Sequence, residues 1–147
     1  MKKLFIPPVI VLISIILIVG FYFFLPRFNI IPFPFNFLGV LFVFPGFALT
    51  GKTWELFRQH KTSLYVEKSS SLVTEGVFAK TRNPMYCGMF MVLFGTSVCF
   101  MNAFSMLVPF LFLAIIRIAF IPVEEKLMCD VFGQAYLDYK QKVRRWV

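Results

Sequence analysis

The chain has 147 residues, enough for one domain, and 59% of them are apolar, with 21 phenylalanines, against the roughly 45–50% apolar content of a soluble globular domain. That excess argues against a water-soluble fold and predicts an all-α integral membrane protein. The formal charge of +8 does not indicate nucleic acid, because the basic residues lie between and after the apolar runs, where membrane topology accounts for them.

Met1-Lys2-Lys3 and the apolar run from Leu4 to Leu25 begin like a secretory signal. The run is too long for an h-region and no small-x-small site follows it, so the expectation is a retained first transmembrane helix. At ~1.5 Å per residue it crosses a ~30 Å hydrocarbon core, with Pro7 and Pro8 in its first turns, where proline costs least. The proline- and phenylalanine-rich stretch from Pro26 to Phe35 reads as an interfacial turn. A second helix is expected from about Phe35 to Thr50, kinked at Pro45-Gly46. Residues 51–83 then form a polar loop carrying Lys52, Glu55, Arg58, His60, Lys61, Glu67, Lys68 and Ser69-Ser70-Ser71, with Trp54 and Phe57 at the interface. Loops of that length in a compact domain are usually functional or disordered.

The third helix starts at Pro84 and runs to about Met101, Asn102-Ala103 make a tight turn, and the fourth runs from about Phe104 to Ile121, so that residues 84–121 form a transmembrane hairpin. Pro122 opens the segment 122–147, in which Phe132, Tyr136, Tyr139 and Val143 recur at helical spacing opposite Lys140, Lys142, Arg144 and Arg145. This is an amphipathic helix ending at Trp146. Cys87, Cys99 and Cys129 are odd in number and lack metal-type spacing, and are expected to be packed free thiols.

Thirteen of the fifteen basic residues fall on one side if both termini are cytoplasmic, with Arg27 outside and Arg117 within the fourth helix. The positive-inside rule therefore favours about four helices with both termini in the cytoplasm. The Arg82-Asn83-Pro84 cluster, the Glu124-Glu125 pair and the polar loop then share one membrane face.

Two readings of each cluster stand side by side. Asn83-Pro84 suits an N-cap and first helical residue, and Glu124-Glu125 suit the dipole of a first turn. Alternatively, the short hairpin brings both to one pocket, where free N–H groups at Asn83-Pro84-Met85-Tyr86 would hold a carboxylate and a glutamate would hold an ammonium group or ribose hydroxyls. Arg117, two turns before Glu124 and ~10 Å away along the axis on roughly the same face, either contacts an acidic group of a substrate or snorkels. His60 is a lone loop histidine.

Gly76-Val77-Phe78-Ala79-Lys80-Thr81-Arg82-Asn83-Pro84-Met85-Tyr86-Cys87-Gly88, followed by Glu124-Glu125, Phe132-Gly133-Gln134-Ala135-Tyr136-Leu137-Asp138-Tyr139 and Val143-Arg144-Arg145-Trp146, resembles the signature of the isoprenylcysteine carboxyl methyltransferase and phospholipid methyltransferase superfamily. The resemblance spans about half the chain, from Ser70 to Trp146. It implies an S-adenosylmethionine-dependent methyltransferase in the inner, cytoplasmic membrane, taking its cofactor from the cytoplasm and a lipophilic or lipid-like acceptor from the bilayer. By the same resemblance the cofactor pocket comprises Leu72, Val73, Thr74, Phe78, Asn83, Pro84, Met85, Tyr86 and Glu124, with Glu125 beside it. The chain departs from the usual pattern with Asn83 where histidine is commoner, Phe78 where tyrosine is common, no proline after the tryptophan, and an N-terminal half shorter than in eukaryotic members. Asn83 does not titrate near neutrality, so acid–base work at that position is not expected.

A sulfonium methyl is already activated, so such a protein mainly aligns the acceptor and excludes water. The two glutamates are the only candidate general bases, which favours an oxygen or sulfur acceptor over an amine. The competing expectations are a nicotinamide-dependent membrane reductase, whose sterol-reducing members have a C-terminal block somewhat like Phe132 to Trp146, and a non-catalytic membrane protein in which both motifs are only helix starts.

Overall fold

The computed structural model describes residues 6–30, 32–60 and 71–146. Among them there are helices and turns but no strands, apart from one isolated bridge between Asn29 and Asn102. The protein is an all-α integral membrane protein. Three helical rods are long and apolar enough to cross a bilayer, Pro7–Phe24, Phe35–Gln59 and Ser105–Phe132, and a shorter apolar helix, Pro84–Cys99, packs among them.

Helix α1 (Ile6–Phe24) buries Pro7, Ser14 and Ile18, a stripe at near-helical spacing, and leaves Leu12 and Ile16 exposed on the opposite side. The stripe packs on α3 (Pro84–Cys99) and α4 (Val108–Ile115). The core lies between these helices and is formed by Ile18, Tyr86, Leu93, Val108, Phe112, Ile116 and Ile121.

Helix α2 (Val40–Gln59) follows a 3-10 turn over Phe35–Gly39. It extends well beyond the end expected near Thr50, so the first part of the supposed loop is helix. The change to polar residues at Gly51 marks where the helix leaves apolar surroundings, and the backbone ladder continues. Thr50 and Thr53 donate their hydroxyls to the carbonyls of Gly46 and Leu49, at 3.0 and 2.8 Å, and Gln59 donates to Glu55 at 3.2 Å. Of the remaining loop, residues 61–70, including Ser69 and Ser70, lie outside the described residues.

Helix α2 and the 3-10 turn that leads into it touch α3 backbone to backbone at two points seven residues apart. A Cβ on Gly46 would lie 2.8 Å from the Gly88 carbonyl, and one on Gly95 would lie 2.4 Å from the Gly39 carbonyl. Only glycine permits that approach, which replaces side-chain bulk with close van der Waals contact.

The α3–α4 turn is a latch. Asn102 is fully buried, with Nδ2 within 3.1 Å of the Phe21 carbonyl, 2.9 Å of the Leu25 carbonyl and 3.0 Å of Asn29 Oδ1, while its Oδ1 accepts from the Phe104 N–H at 3.0 Å. It thereby caps the end of α1 and ties that end to the hairpin.

The fourth helix does not stop at Ile121. After α4 the rod passes through a π-helical turn, Ile116–Phe120, into α5 (Ile121–Phe132). Pro122 lies in the first turn of α5, where its missing N–H is tolerated, and the wider turn before it carries the chain onward without a break. The single amphipathic helix expected over 122–147 is instead divided. Gly133, at φ +53°, ends α5 and starts α6 (Gln134–Lys142), because a left-handed residue cannot continue a right-handed helix. Tyr136 and Tyr139 are buried as the spacing suggested, whereas Val143 to Trp146 leave the helix and fold back over the start of α3. Trp146 packs against the core.

Candidate active site

Both termini of the described rods that carry polar motifs meet at one end of the bundle. There Pro7 and Pro8 of α1, Thr53 and Phe57 of α2, the segment Ser71-Leu72-Val73 with Phe78, the start of α3 through Met89, and Glu124, Glu125 and Met128 of α5 line one cavity, with Tyr136 and Tyr139 of α6 closing it. Its volume of about 170 Å³ far exceeds the ~10–15 Å³ that admits one water. Every residue named for a cofactor pocket lines it except Thr74, which is exposed. Arg117 is not among the lining residues either: it is exposed on the outside of the rod. A π turn accommodates one more residue than an α turn, which rotates Arg117 by roughly 100° away from the face of Glu124.

The start of α3 is held from outside the helix. Thr81 Oγ1 donates to the Arg145 carbonyl at 2.9 Å, Asn83 Nδ2 donates to the same carbonyl at 3.3 Å, and the Arg82 N–H donates to the Arg144 carbonyl at 3.0 Å. Asn83 occupies the N-cap position and Pro84 follows as the first helical residue, yet the asparagine side chain makes no capping hydrogen bond. The helix-start reading therefore accounts for Pro84 and leaves the first-turn N–H groups of Met85 and Tyr86 without a capping side chain. Such N–H groups favour an anion.

Glu124 and Glu125 differ sharply. Glu125 is a keystone for three cations: Arg145 grips it in a fork, Nε to Oε1 and Nη2 to Oε2 at 3.0 Å each, Lys140 Nζ lies 3.0 Å from Oε2, and Arg82 Nη1 lies 3.0 Å from Oε1. The fork also holds the Arg145 proton more firmly than usual. Glu124 accepts a hydrogen bond from the Tyr86 hydroxyl and has no cationic partner among the described residues, which leaves carboxylate capacity facing the cavity.

Arg82 contributes a guanidinium to the cavity. Its side chain is 9% exposed, and although Nη1 is within ion-pair distance of Glu125, neither Nη1 nor Nε has a hydrogen-bond partner among the described residues. A buried donor left unmatched is costly, and this one lines the cavity. Burial pushes the Tyr136 and Tyr139 hydroxyls above the ordinary phenol range, so both remain protonated, and Tyr139 donates to the Phe78 carbonyl at 2.7 Å, pinning the loop over the cavity. Phe57 packs edge-on against Phe78 with centroids 5.3 Å apart.

The cavity thus brings together a carboxylate, a helix N-terminus, a guanidinium and the apolar side chains of Val73, Phe57, Phe78, Met89 and Met128. Sequence reading overlooked Arg82, Thr53, Phe57, Tyr136 and Tyr139 as lining residues. For the tyrosines the helical spacing was visible, but the fold-back that turns them inward was not.

The family model for phospholipid methyltransferases matches residues 34–135. Among curated proteins, the chain is 34% identical over 77 residues to the protein-S-isoprenylcysteine O-methyltransferase of Saccharomyces cerevisiae, covering 52% of this chain and 32% of that protein. It is 40% identical over 81 residues to the protein of the same name from Tribolium castaneum, covering 52% and 28%, and 33% identical over 87 residues to protein-S-isoprenylcysteine O-methyltransferase A of Arabidopsis thaliana, covering 57% and 43%. The chain spans less than half the length of these relatives. With more than half of its residues matched by the family model, and the matched blocks meeting around one cavity, the chain belongs to the phospholipid methyltransferase family.

Proposed function

We propose that the protein is a methyltransferase that uses S-adenosylmethionine to methylate a small lipophilic or lipid-like acceptor, an isoprenylcysteine-type carboxylate or a related group, at the cytoplasmic face of the inner membrane with both termini on that face. The observation that carries this reading is the cavity itself, whose lining brings together Glu124, the uncapped start of α3, Arg82 and apolar side chains. That charge pattern suits an amino-acid-bearing nucleoside, and the residues present fit it. Glu124 would hold its ammonium or ribose hydroxyls, and the Met85 and Tyr86 N–H groups with Arg82 its carboxylate. Leu72, Val73, Phe78 and the methionines would enclose the adenine and the acceptor.

The bound cofactor supplies an activated methyl group. The chain's own part is to position and to exclude water. Tyr86 orients Glu124 through its hydroxyl, Glu125 fixes the C-terminal segment that closes the pocket, and Tyr139 holds the Phe78 loop in place. A carboxylate acceptor arrives already ionised and needs no general base, which matches a site where Glu125 is fully engaged by cations and Asn83 cannot titrate.

Incubating the purified protein with lipid extract and methyl-labelled cofactor tests the reading. It predicts label in an organic-soluble product that mild base releases as methanol, as an ester requires. Base-stable label would indicate N- or S-methylation, and absence of any labelled product together with NADPH binding would favour a reductase.

A further inference from the structure

Arg117 is the chain's anomaly. It lies within the apolar part of the rod Ser105–Phe132, about 18 Å from the Ser105 end and about 10 Å along the axis from Glu124 at the pocket end, at ~1.5 Å per residue. Charged side chains at that depth almost always face the bundle interior and pair there. Arg117 does neither: it is exposed on the outer face, beside Ile118 at 76% exposure and Leu111 at 61%, and no ion pair or hydrogen bond reaches its side chain among the described residues. It lies within the π turn over Ile116–Phe120.

Its partner must therefore come from outside the chain. A second copy in the same membrane orientation offers no acidic side chain at that depth among the described residues. Glu55, Glu75, Asp130 and Asp138 lie at the pocket end, and Glu124 and Glu125 face inward with partners of their own. We infer that Arg117 is a binding site for an anionic phospholipid, whose headgroup phosphate at the pocket-side interface meets the snorkelling guanidinium in a two-pronged, charge-assisted contact. The acyl chains of that lipid lie along the apolar face of Leu111, Ile115 and Ile118.

The test reconstitutes the full chain in equal amounts of phosphatidylglycerol and phosphatidylcholine, extracts it gently and weighs the intact protein–lipid complexes. The wild type should retain phosphatidylglycerol over phosphatidylcholine by roughly tenfold. Arg117→Leu should lose that preference and Arg117→Lys should keep part of it, since an ammonium provides the charge without the fork. Arg117→Gln provides a second neutral variant, and S-adenosylhomocysteine binding, which Arg117 does not touch, reports whether each variant is folded. Equal phosphatidylglycerol retention by folded Arg117→Leu overturns the inference, as does a wild-type dimer that dissociates in that variant, which would assign the arginine to a second copy.

Discussion

Glu124 and Glu125 are neighbours on one helix with opposite surroundings, and the difference determines what each substitution should do. Replacing Glu125 by alanine leaves Arg82 buried with no counter-charge and frees Arg145 and Lys140, a change of the kind that costs about 3–5 kcal/mol. Thermal unfolding of Glu125→Ala should show a fall of many degrees. Replacing Glu124 leaves the buried Tyr86 hydroxyl without its acceptor, at a cost of about 1–3 kcal/mol, so Glu124→Ala should unfold nearer the wild type than Glu125→Ala does. Reversal of that order would contradict the keystone assignment. The sequence showed both carboxylates but could not separate them, because the cations that take up Glu125 come from Arg82, Lys140 and Arg145, far apart in the chain. The resemblance located Asn83 and Glu124 for the same reason it passed over Arg82: a motif names positions, and only the folded contacts show which donors are left unmatched.

At the scale of elements, the long apolar runs were legible from hydropathy, and their ends were not. Apolar character falls away at Gly51, yet α2 continues to Gln59 and carries Thr53 and Phe57 into the cavity wall. Pro122 looked like a stop and is instead absorbed after a π turn, a feature that a 3.6-residue period does not reveal. The glycines of α2 and α3 make a direct test. Gly51 sits in the helix with open space around its Cβ position, so Gly51→Ala should raise stability by about 0.5–1 kcal/mol. Gly88→Val should lower it by about 1–3 kcal/mol or more, since a Cβ there would lie 2.4 Å from Thr50 Oγ1 and 2.7 Å from the Gly46 carbonyl. Denaturation of the two variants side by side in detergent checks both; a stable Gly88→Val would mean that α2 and α3 pack less closely than described.

For the whole molecule, the pocket is assembled at one end of the bundle from both halves of the chain, and the fold-back of Val143 to Trp146 is what joins them. Thr81, Arg82 and Asn83 all hydrogen-bond to the carbonyls of Arg144 and Arg145. Removing residues 143–147 should therefore weaken nucleoside binding by at least about tenfold while the helix content measured by circular dichroism stays near that of the full chain; unchanged binding would show that the strap is dispensable. The central claim is that the cavity between Glu124 and the start of α3 holds the methyl donor. Calorimetric titration of the detergent-purified protein with S-adenosylhomocysteine tests it most directly. The account predicts saturable binding to the wild type, weakened by about tenfold or more (~1.4 kcal/mol) in Glu124→Ala. Binding as tight in Glu124→Ala as in the wild type would contradict it.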